Sequence, residues 1–300
     1  MRRLLTAAMV PLLATAIGCA SIHPNVASFP QNTTVNALYK SAADDELLLL
    51  NGNTWLVPLL TRNKKERVNA IGEYIHGLPE LPDVITLQEV WLTKHIKQFK
   101  ELFPKYDAYY SHEQKKILGY TFNESGLLTL VKKNLPVSNV QYNLLDEEYT
   151  LRAESFLGKG SLSLTLQHAG NEYNITNIHL PNTHKDIFLK NTQGALESLK
   201  PEGILVGDLN LEPHELPAWL LSDDDTPTYT SSGKKRLRRL DYVFSDDITN
   251  VTSVVLTDNE GYCLLLSDHC FLAAKIAQKG SPLETRIAEN MVVPADEKAY

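Results

Sequence analysis

Short apolar runs recur along the chain, each closed by polar or turn-forming residues, and this pattern predicts a strand-rich fold. The run Ser161–Leu166 alternates strictly between polar and apolar residues, as a half-buried strand does. Other runs are nearly continuous, as in strands with both faces covered. The predicted strands are Leu47–Leu50, Asp83–Glu89, Gly126–Val131, Ser161–Leu166, Tyr173–Ile178, Ile204–Gly207, Tyr242–Phe244, Val251–Leu256 and Phe271–Ile276.

Three segments carry a helical pattern instead. Between Lys65 and Leu78 the apolar residues lie three and four positions apart, which is typical of an amphipathic helix. A second such segment follows Thr93, which we expect to cap it, and residues 184–200 give the third. Many strands with few helices favour two packed sheets with helices outside, a four-layer α/β sandwich.

Composition is compatible with one large globular domain. Of the 300 residues, 43% are hydrophobic, enough for a sizeable core, and no internal repeat divides the chain. The net charge of −7 argues against a protein that wraps duplex DNA, although it does not exclude a nuclease. We expect a monomer, with a domain at residues 45–278, a polar tether at 19–44 and a C-terminal tail at 279–300.

The N-terminus has the pattern of an export signal. Arg2-Arg3 precedes an apolar stretch too short to span a bilayer, so residues 1–18 are predicted to be a signal peptide. Cys19 after Ala-Ile-Gly resembles a bacterial lipoprotein box, which implies a lipid anchor at the outer membrane or cell surface. Ordinary cleavage and secretion is the alternative, because Ala16 stands where such boxes usually have Leu.

Two further cysteines, Cys263 and Cys270, lie near the end of the domain. An exported protein can join them, but Cys270 follows His269 in a segment that reads as a strand, where burial of the thiol as a small apolar side chain is at least as well favoured. We therefore expect free thiols rather than a disulfide.

Metal-competent side chains recur where the predicted strands end. An ionised carboxylate beside a buried strand needs a hydrogen-bonding partner or a metal ion. If these ends share one edge of the sandwich, they form a cleft whose oxygen ligands suit Mg²⁺ or Mn²⁺ better than zinc, and metal-assisted hydrolysis is the expected chemistry. The side chains are Asn53, Glu89, His179, Asp208 with Asn210, Asp241, and Asp268 with His269.

The remaining histidines have no such context. We expect them at the surface or at helix ends; they are His76, His95, His112, His168, His184 and His214.

The same strand-end residues stand in six short blocks that resemble, in order, the signature blocks of the endonuclease/exonuclease/phosphatase superfamily. The resemblance covers residues 47–276, and its specificity lies in the ordered set. It implies the sandwich predicted above, with a metal-dependent phosphoester hydrolase site at one edge. The blocks are Asn53-Thr54-Trp55-Leu56, Leu87-Gln88-Glu89-Val90, Asn177-Ile178-His179-Leu180, Gly207-Asp208-Leu209-Asn210, Leu240-Asp241-Tyr242-Val243 and Ser267-Asp268-His269.

The resemblance also implies how the metal and the attacking water would be held. Glu89 would be the principal ligand of Mg²⁺ or Mn²⁺, with Asn53 beside it and Asp268 near the metal. Asp208 would contact the metal and orient or deprotonate the water. Asn210 would hold that water or a phosphate oxygen.

The two histidines are implied to act on the phosphate. His269 would contact the scissile phosphate, with Asp241 fixing its tautomer, as carboxylate–histidine pairs do. His179 would stabilise the pentacovalent phosphate or protonate the leaving oxygen. Which histidine is the general acid, and how many metal ions act, stays open.

Among family branches, the neutral sphingomyelinases and related phospholipase C-like phosphodiesterases look most similar. The shared features are His179-Leu180, Leu240-Asp241-Tyr242 and Gly158-Lys159-Gly160. This branch implies a phospholipid substrate at a membrane surface. One feature departs from it: the interval before the last block lacks an aromatic-rich hairpin for entering lipid.

Two other functions stay open. A secreted or surface-anchored deoxyribonuclease-like endonuclease would act on nucleic acid with the same site, and the basic run Lys234–Arg239 is either a solvated loop or a guide for a phosphate-bearing substrate or an anionic surface. A surface binding protein without turnover is the third possibility, and the intact set of six blocks argues against it.

Overall fold

The computed structural model describes residues 33–58, 61, 63–111, 114–117, 119–145, 158–182, 203–216, 220, 226–230, 237–245, 249–257, 263 and 266–278. Within these ranges the helices are α1 (Thr33–Lys40), α2 (Lys64–His76) and α3 (Thr93–Leu102). None of the helices in this part of the chain is both long enough and apolar enough to cross a membrane.

The strands of the described residues form two large sheets and two small ribbons. They are β1 (Leu47–Asn53), β2 (Val84–Gln88), β3 (Tyr106–Tyr109), β4 (Gln114–Ile117), β5 (Tyr120–Asn123), β6 (Leu128–Lys132), β7 (Val137–Leu145), β8 (Lys159–His168), β9 (Asn171–His179), β10 (Ile204–Asp208), β11 (Tyr229–Thr230), β12 (Leu237–Arg238), β13 (Asp241–Ser245), β14 (Thr249–Leu256) and β15 (Phe271–Gln278).

Both large sheets are mixed. Sheet 1 has the order β14-β15-β1-β2-β6-β3, and sheet 2 has the order β13-β10-β9-β8-β7. The pairs β1/β2 and β9/β10 are parallel, whereas the other pairs are antiparallel. The ribbons are β4/β5 and β11/β12.

The leucine run of β1 shows why the two sheets pack. Leu47 and Leu49 are buried between the sheets, in a cluster with Ile175 and Val206 of sheet 2. Leu48 and Leu50 point to the other face, where α1, α2 and α3 cover sheet 1. Because both faces are buried, the strand reads as a continuous apolar run. The predicted two-sheet α/β sandwich is confirmed; the helix predicted at 184–200 lies outside the described residues.

The polar tether predicted at residues 19–44 is wrong for its second half, because helix α1 lies there. Its residues Val35, Leu38 and Tyr39 are buried in the cluster under sheet 1, and the Tyr39 hydroxyl donates to the Leu49 carbonyl at 2.9 Å. Residues 33–40 therefore belong to the folded body, because three apolar side chains at helical spacing suffice to dock a short helix. The predicted signal peptide, Cys19 and the tail lie outside the described residues.

Two expectations about α3 were also wrong. Thr93 is the first residue of the helix and not its cap, since its hydroxyl donates to the Thr121 carbonyl of β5 at 2.7 Å. His95 is not at the surface: it is 1% exposed, on the face of α3 that packs inward with Ile96 and Phe99.

Cys263 and Cys270 form a disulfide, so the expectation of free thiols is wrong. A bridge from Thr257 positions Cys263, and the Cys270 amide donates to the Thr228 carbonyl at 2.6 Å. These contacts bring the two α-carbons to 4.4 Å.

Strand direction brings the six predicted blocks to one edge of the sandwich. Asn53 ends β1, and Glu89 directly follows β2, which runs parallel to it. In sheet 2, Asp208 ends β10 level with His179 at the end of β9 and with Asp241 at the start of β13. Asp268 and His269 come just before β15, which is antiparallel to β1 and begins at that same edge.

A buried polar contact joins the two sheets behind this edge. The Gln88 amide donates to Asn177 of sheet 2 at 2.8 Å and to Asn51 at 2.8 Å. Asn177 in turn donates to the Thr129 hydroxyl at 3.2 Å. Gln88 and Asn177 are each one or two residues from a predicted site residue, so the contact links the two halves of the site.

Candidate active site

Six of the predicted side chains line one cleft at this edge: Glu89, His179, Asp208, Asn210, Asp268 and His269. The other two, Asn53 and Asp241, are buried directly behind it, each hydrogen-bonded to a residue of the cleft. The structure therefore brings together the whole predicted set.

Asp208 lies at the centre of the polar contacts. Its Oδ2 accepts from the Asn53 amide at 2.9 Å, and its Oδ1 accepts from the Asn210 backbone N–H at 2.9 Å. Nε2 of His179 and Nε2 of His269 lie 3.5 and 3.7 Å from Oδ2. The carboxylate is 1% exposed, so these neighbours replace water around its charge.

Gly207 allows β10 to approach β9 closely beside Asp208. Its φ is +146°, and a Cβ at this position would lie 2.0 Å from the Ile178 carbonyl oxygen. Only glycine fits, because every other residue would collide with the backbone of the neighbouring strand.

Two of the predicted site residues have left-handed backbone, as does Trp55 with φ +49°. Asn210 has φ +52°, a conformation that asparagine tolerates, and its amide donates to the Leu180 carbonyl at 2.8 Å. Glu89 has φ +62°, which is unfavourable for glutamate by about 1–3 kcal/mol. The left-handed residue ends β2 and turns the chain at the cleft.

His269 and Asp241 form a buried charge pair. Nδ1 of His269 donates to Oδ2 of Asp241 at 2.8 Å. Burial lowers the pKa of His269, but the negative charges of Asp241 and Asp208 outweigh it and hold that pKa well above its usual range. Burial raises the pKa of Asp241 to about 6 against the opposing effect of His269. His269 is thus held as an imidazolium at neutral pH.

His179 has the opposite character. Burial, the positive charge of Lys159 and that of His269 hold its pKa well below its usual range. His179 is therefore neutral. Two histidines on either side of one carboxylate, with pKa values moved in opposite directions, can serve different proton-transfer roles.

Lys159 was missed as a site residue, although its Gly-Lys-Gly sequence was noted as a mark of the branch. It begins β8, is 5% exposed and places Nζ 2.7 Å from Nε2 of His179. Nζ also lies 5.4 Å from the centre of the Trp91 ring. A buried lysine in a cleft lined by carboxylates can hold a phosphate oxygen.

The aromatic walls and Arg67 were missed as well, whereas Arg238 was considered only as part of the basic run Lys234–Arg239. Trp55, Trp91, Tyr229 and Arg238 line the cleft, and Arg67 of α2 lies behind it with its guanidinium 4.8 Å from the Trp55 ring. In the sequence Arg67 reads as the polar face of a helix. Only the position of Trp55 and Trp91, each two residues beyond Asn53 or Glu89, could have indicated the two tryptophans.

Glu89 provides the test of whether this site fits a metal ion. Its Oε2 is buried without a hydrogen-bond partner in the described part of the chain. Burial raises its pKa to about 7, with Asp268 and Asp208 adding to the effect and Lys159 opposing it. A divalent cation would satisfy this oxygen, and the oxygen-rich set around it suits Mg²⁺ or Mn²⁺.

A second group of possible ligands lies close by. Atoms of Asp208, Asp241 and His269 lie within 4.8 Å of one another. Because His269 and Asp241 are hydrogen-bonded to each other, we consider Glu89 the better starting point for a metal site. Asn53, predicted as a ligand, donates to Asp208 and accepts from the Trp55 N–H at 3.0 Å, so its direct contact with metal stays a prediction.

Fold and site together define a two-sheet hydrolase with a polar cleft at one edge. The sequence pattern of the Endonuclease/Exonuclease/phosphatase family matches residues 48–269, and the chain belongs to this family. Over 195 residues it is 28% identical to sphingomyelin phosphodiesterase 2 of Homo sapiens. The match covers 59% of this chain and 44% of that protein, so the chain spans less than half of its length.

Solved structures share the fold. A conserved protein of unknown function from Enterococcus faecalis V583 superposes with a TM-score of 0.59 at 18% identity, over 78% of this chain and 100% of that chain. TDP2 of D. rerio, in complex with a single-strand DNA product, superposes with a TM-score of 0.58 at 16% identity, over 78% and 99%. At these identities the likeness shows the fold alone.

Proposed function

We propose that the protein is an exported, metal-dependent phosphodiesterase that hydrolyses a membrane phospholipid in the manner of a sphingomyelinase or phospholipase C. One observation carries the proposal. Asp208 is held by Asn53 and Asn210 between a cationic and a neutral histidine, beside a carboxylate oxygen of Glu89 that has no hydrogen-bond partner among the described residues.

This arrangement has the parts that hydrolysis of a phosphodiester requires. Asp208 orients a water molecule and accepts its proton as the water oxygen bonds to phosphorus. The imidazolium of His269 and the ammonium of Lys159 stabilise the negative charge that grows on the phosphoryl oxygens. As the bond to the leaving oxygen breaks, that oxygen takes the proton that Asp208 accepted, relayed through His179, whose Nε2 lies 3.5 Å from Oδ2 of Asp208.

Glu89, with Asp268 and Asn53 near it, would hold the Mg²⁺ or Mn²⁺ ion. When bound, this ion supplies Lewis-acid polarisation of a phosphoryl oxygen. The protein also fixes the position of His269 relative to the phosphate, because the hydrogen bond to Asp241 keeps the imidazole in one orientation.

The lipid substrate is supported by the similarity to human sphingomyelin phosphodiesterase 2. The cleft walls support it too, since the rings of Trp55, Trp91 and Tyr229 can pack against a headgroup. Export is supported by the disulfide, because such bonds persist in oxidising compartments. An anchor at Cys19 would keep the enzyme at a membrane surface, close to its substrate. It would act there as a monomer.

One observation favours an endonuclease as the second candidate. Arg238 lines the cleft, and its Nε donates to Glu212 at 2.6 Å, so its guanidinium is held at the cleft, where the other nitrogens could donate to a phosphate of the substrate. A nucleic acid offers additional phosphates next to the scissile one, whereas phosphocholine does not.

Parallel assays on two substrates test the proposal. Mature protein with Mg²⁺ or Mn²⁺ is expected to release phosphocholine from sphingomyelin or phosphatidylcholine vesicles, and to lose this activity in EDTA. Efficient nicking of plasmid DNA without phosphocholine release would replace the lipid substrate by nucleic acid. Binding without turnover of either substrate would refute an enzyme altogether.

Active-site variants complete the test. Asp208→Ala and His269→Ala are expected to reduce kcat by at least about 10³-fold with the fold retained in circular dichroism. His214→Ala, which removes an exposed histidine outside the cleft, serves as the matched control and is expected to leave kcat unchanged.

A further inference from the structure

The Cys263–Cys270 disulfide closes a small covalent ring of the backbone, and this ring contains two residues of the cleft. Asp268 and His269 lie inside this ring, and His269 is bonded directly to Cys270. Both cysteines are buried, at 8% and 1% exposure. The backbone at His269 therefore cannot move far without moving the disulfide.

Thr228 connects this ring to the partner of His269. Its carbonyl accepts from the Cys270 N–H at 2.6 Å. Its hydroxyl accepts from the backbone N–H groups of Leu240 and Asp241, each at 2.9 Å. Thr228 is fully buried, so no water competes for these bonds.

A second contact fixes the same segment two residues before Cys270. The Thr230 N–H donates to the Asp268 carbonyl at 2.9 Å, and Tyr229, between the two threonines, packs its ring 5.0 Å from that of His269. Thr228 and the adjoining strand β11 thus lie between the disulfide ring and the start of β13.

We propose that the disulfide and Thr228 together form a positioning clamp that sets the geometry of the Asp241–His269 pair. The inference rests on the proposed phosphodiesterase function, in which this pair contacts the scissile phosphate. A dithiol reductant opens the clamp: two electrons and two protons pass to Cys263 and Cys270 as thiols, and the reductant becomes a cyclic disulfide. His269 then loses its fixed position, and a displacement of about 1 Å can cost about 10²-fold in rate.

The experiment compares oxidised with reduced wild-type protein, with thiols counted and both forms confirmed as folded at the assay temperature. Reduction is expected to lower kcat by about 10- to 100-fold with KM changed less than about twofold. Removal of the reductant and reoxidation are expected to restore kcat. The double variant Cys263→Ala/Cys270→Ala is expected to start at the low rate and to ignore the reductant.

Thr228 supplies the matched pair of variants. Thr228→Val removes the hydroxyl at nearly constant volume and is expected to lower kcat as reduction does, whereas Thr228→Ser keeps the hydroxyl and is expected to retain most of the rate. A folded, fully reduced protein with kcat within twofold of the oxidised form would overturn the clamp, and so would equal rates for the two Thr228 variants.

Hydrogen exchange separates this inference from the proposed function. The Cys270 amide, bonded to Thr228, is expected to exchange faster after reduction whether or not a substrate is known. If neither vesicles nor plasmid is cleaved, the proposed function fails while this readout still decides the clamp. Unchanged exchange at Cys270 would refute it.

Discussion

Asp208 shows how much a single residue position depends on its neighbour in the chain. The carboxylate reaches Asn53 and both histidines only because Gly207 lets β10 pass within contact distance of the Ile178 carbonyl. The strand is thus shaped by the absence of a side chain.

Substituting Gly207 tests this dependence. Gly207→Ala is expected to destabilise the protein by more than about 4 kcal/mol or to prevent folding, because the new methyl group meets backbone 2.0 Å away. Gly170→Ala is the control: Gly170 also has positive φ, at +82°, but within the part of the chain that the structure describes nothing beyond its chain neighbours lies within 4 Å of its Cβ position. That variant is expected to cost only about 1–2 kcal/mol. Similar urea midpoints for the two variants would contradict the argument.

Side chains at strand ends were predictable from the sequence, and those elsewhere were not. Asn53, Glu89, Asp208 and Asp241 stand out because polar residues are unusual next to buried runs. Lys159 stands between Gly158 and Gly160 rather than beside an apolar run, so a basic residue there reads as an ordinary solvated one. Its burial depends on the opposite wall of the cleft, which local pattern does not encode.

At the scale of elements, the long apolar runs were predictable and the short pieces were not. Strands β4, β5, β11 and β12 have two to four residues each, too few to show a period. Helix α1 has eight residues in a polar stretch, and its helical form depends on packing against sheet 1. Such elements are stabilised by tertiary contacts more than by local preference.

Helix α3 carries a testable consequence of its buried histidine. Burial lowers the pKa of His95 to about 4, and Lys94 and Lys64 act in the same direction. In the unfolded chain His95 binds a proton near pH 6.5, whereas in the folded chain it does so only near pH 4. The free energy of unfolding should therefore fall as pH decreases from about 6.5 to about 4, by up to about 3 kcal/mol.

Urea unfolding at several pH values measures this effect. His95→Gln cannot take up the proton and is expected to show a smaller loss of stability between pH 7 and pH 4.5 than the wild type. His214→Gln, at an exposed position, is expected to follow the wild type. Parallel curves for His95→Gln and the wild type would show that His95 does not carry the effect.

At the scale of the whole molecule, the two large sheets each supply half of the candidate active site. Sheet 1 supplies Asn53 and Glu89, sheet 2 supplies His179 and Asp208, and the cleft exists only where the two meet. The sequence predicted the common edge through the order of the blocks. It did not predict the bond between Gln88 and Asn177, because those residues lie within segments that read as apolar strands.

That bond yields a prediction for the molecule as a whole. Gln88→Leu and Asn177→Leu each leave a buried partner without its hydrogen bond and are expected to cost about 1–3 kcal/mol and to lower kcat about tenfold or more. The double variant is expected to recover part of the stability, since two apolar side chains can pack, but none of the rate. A double-mutant cycle on unfolding free energy and on kcat measures both. Full additivity in both quantities would refute the link.

Helix α1 also sets a limit on where the enzyme can work. If Cys19 is the anchored residue, 14 residue steps separate it from Thr33, the first residue of α1. A fully extended chain of this length spans about 45–50 Å, which is the greatest distance possible between Cys19 and Thr33. The first residue of α1 can then lie no further than this from the anchored membrane, so the reach of the cleft is this length plus the distance from Thr33 to the cleft, and a substrate on a more distant facing membrane cannot be hydrolysed.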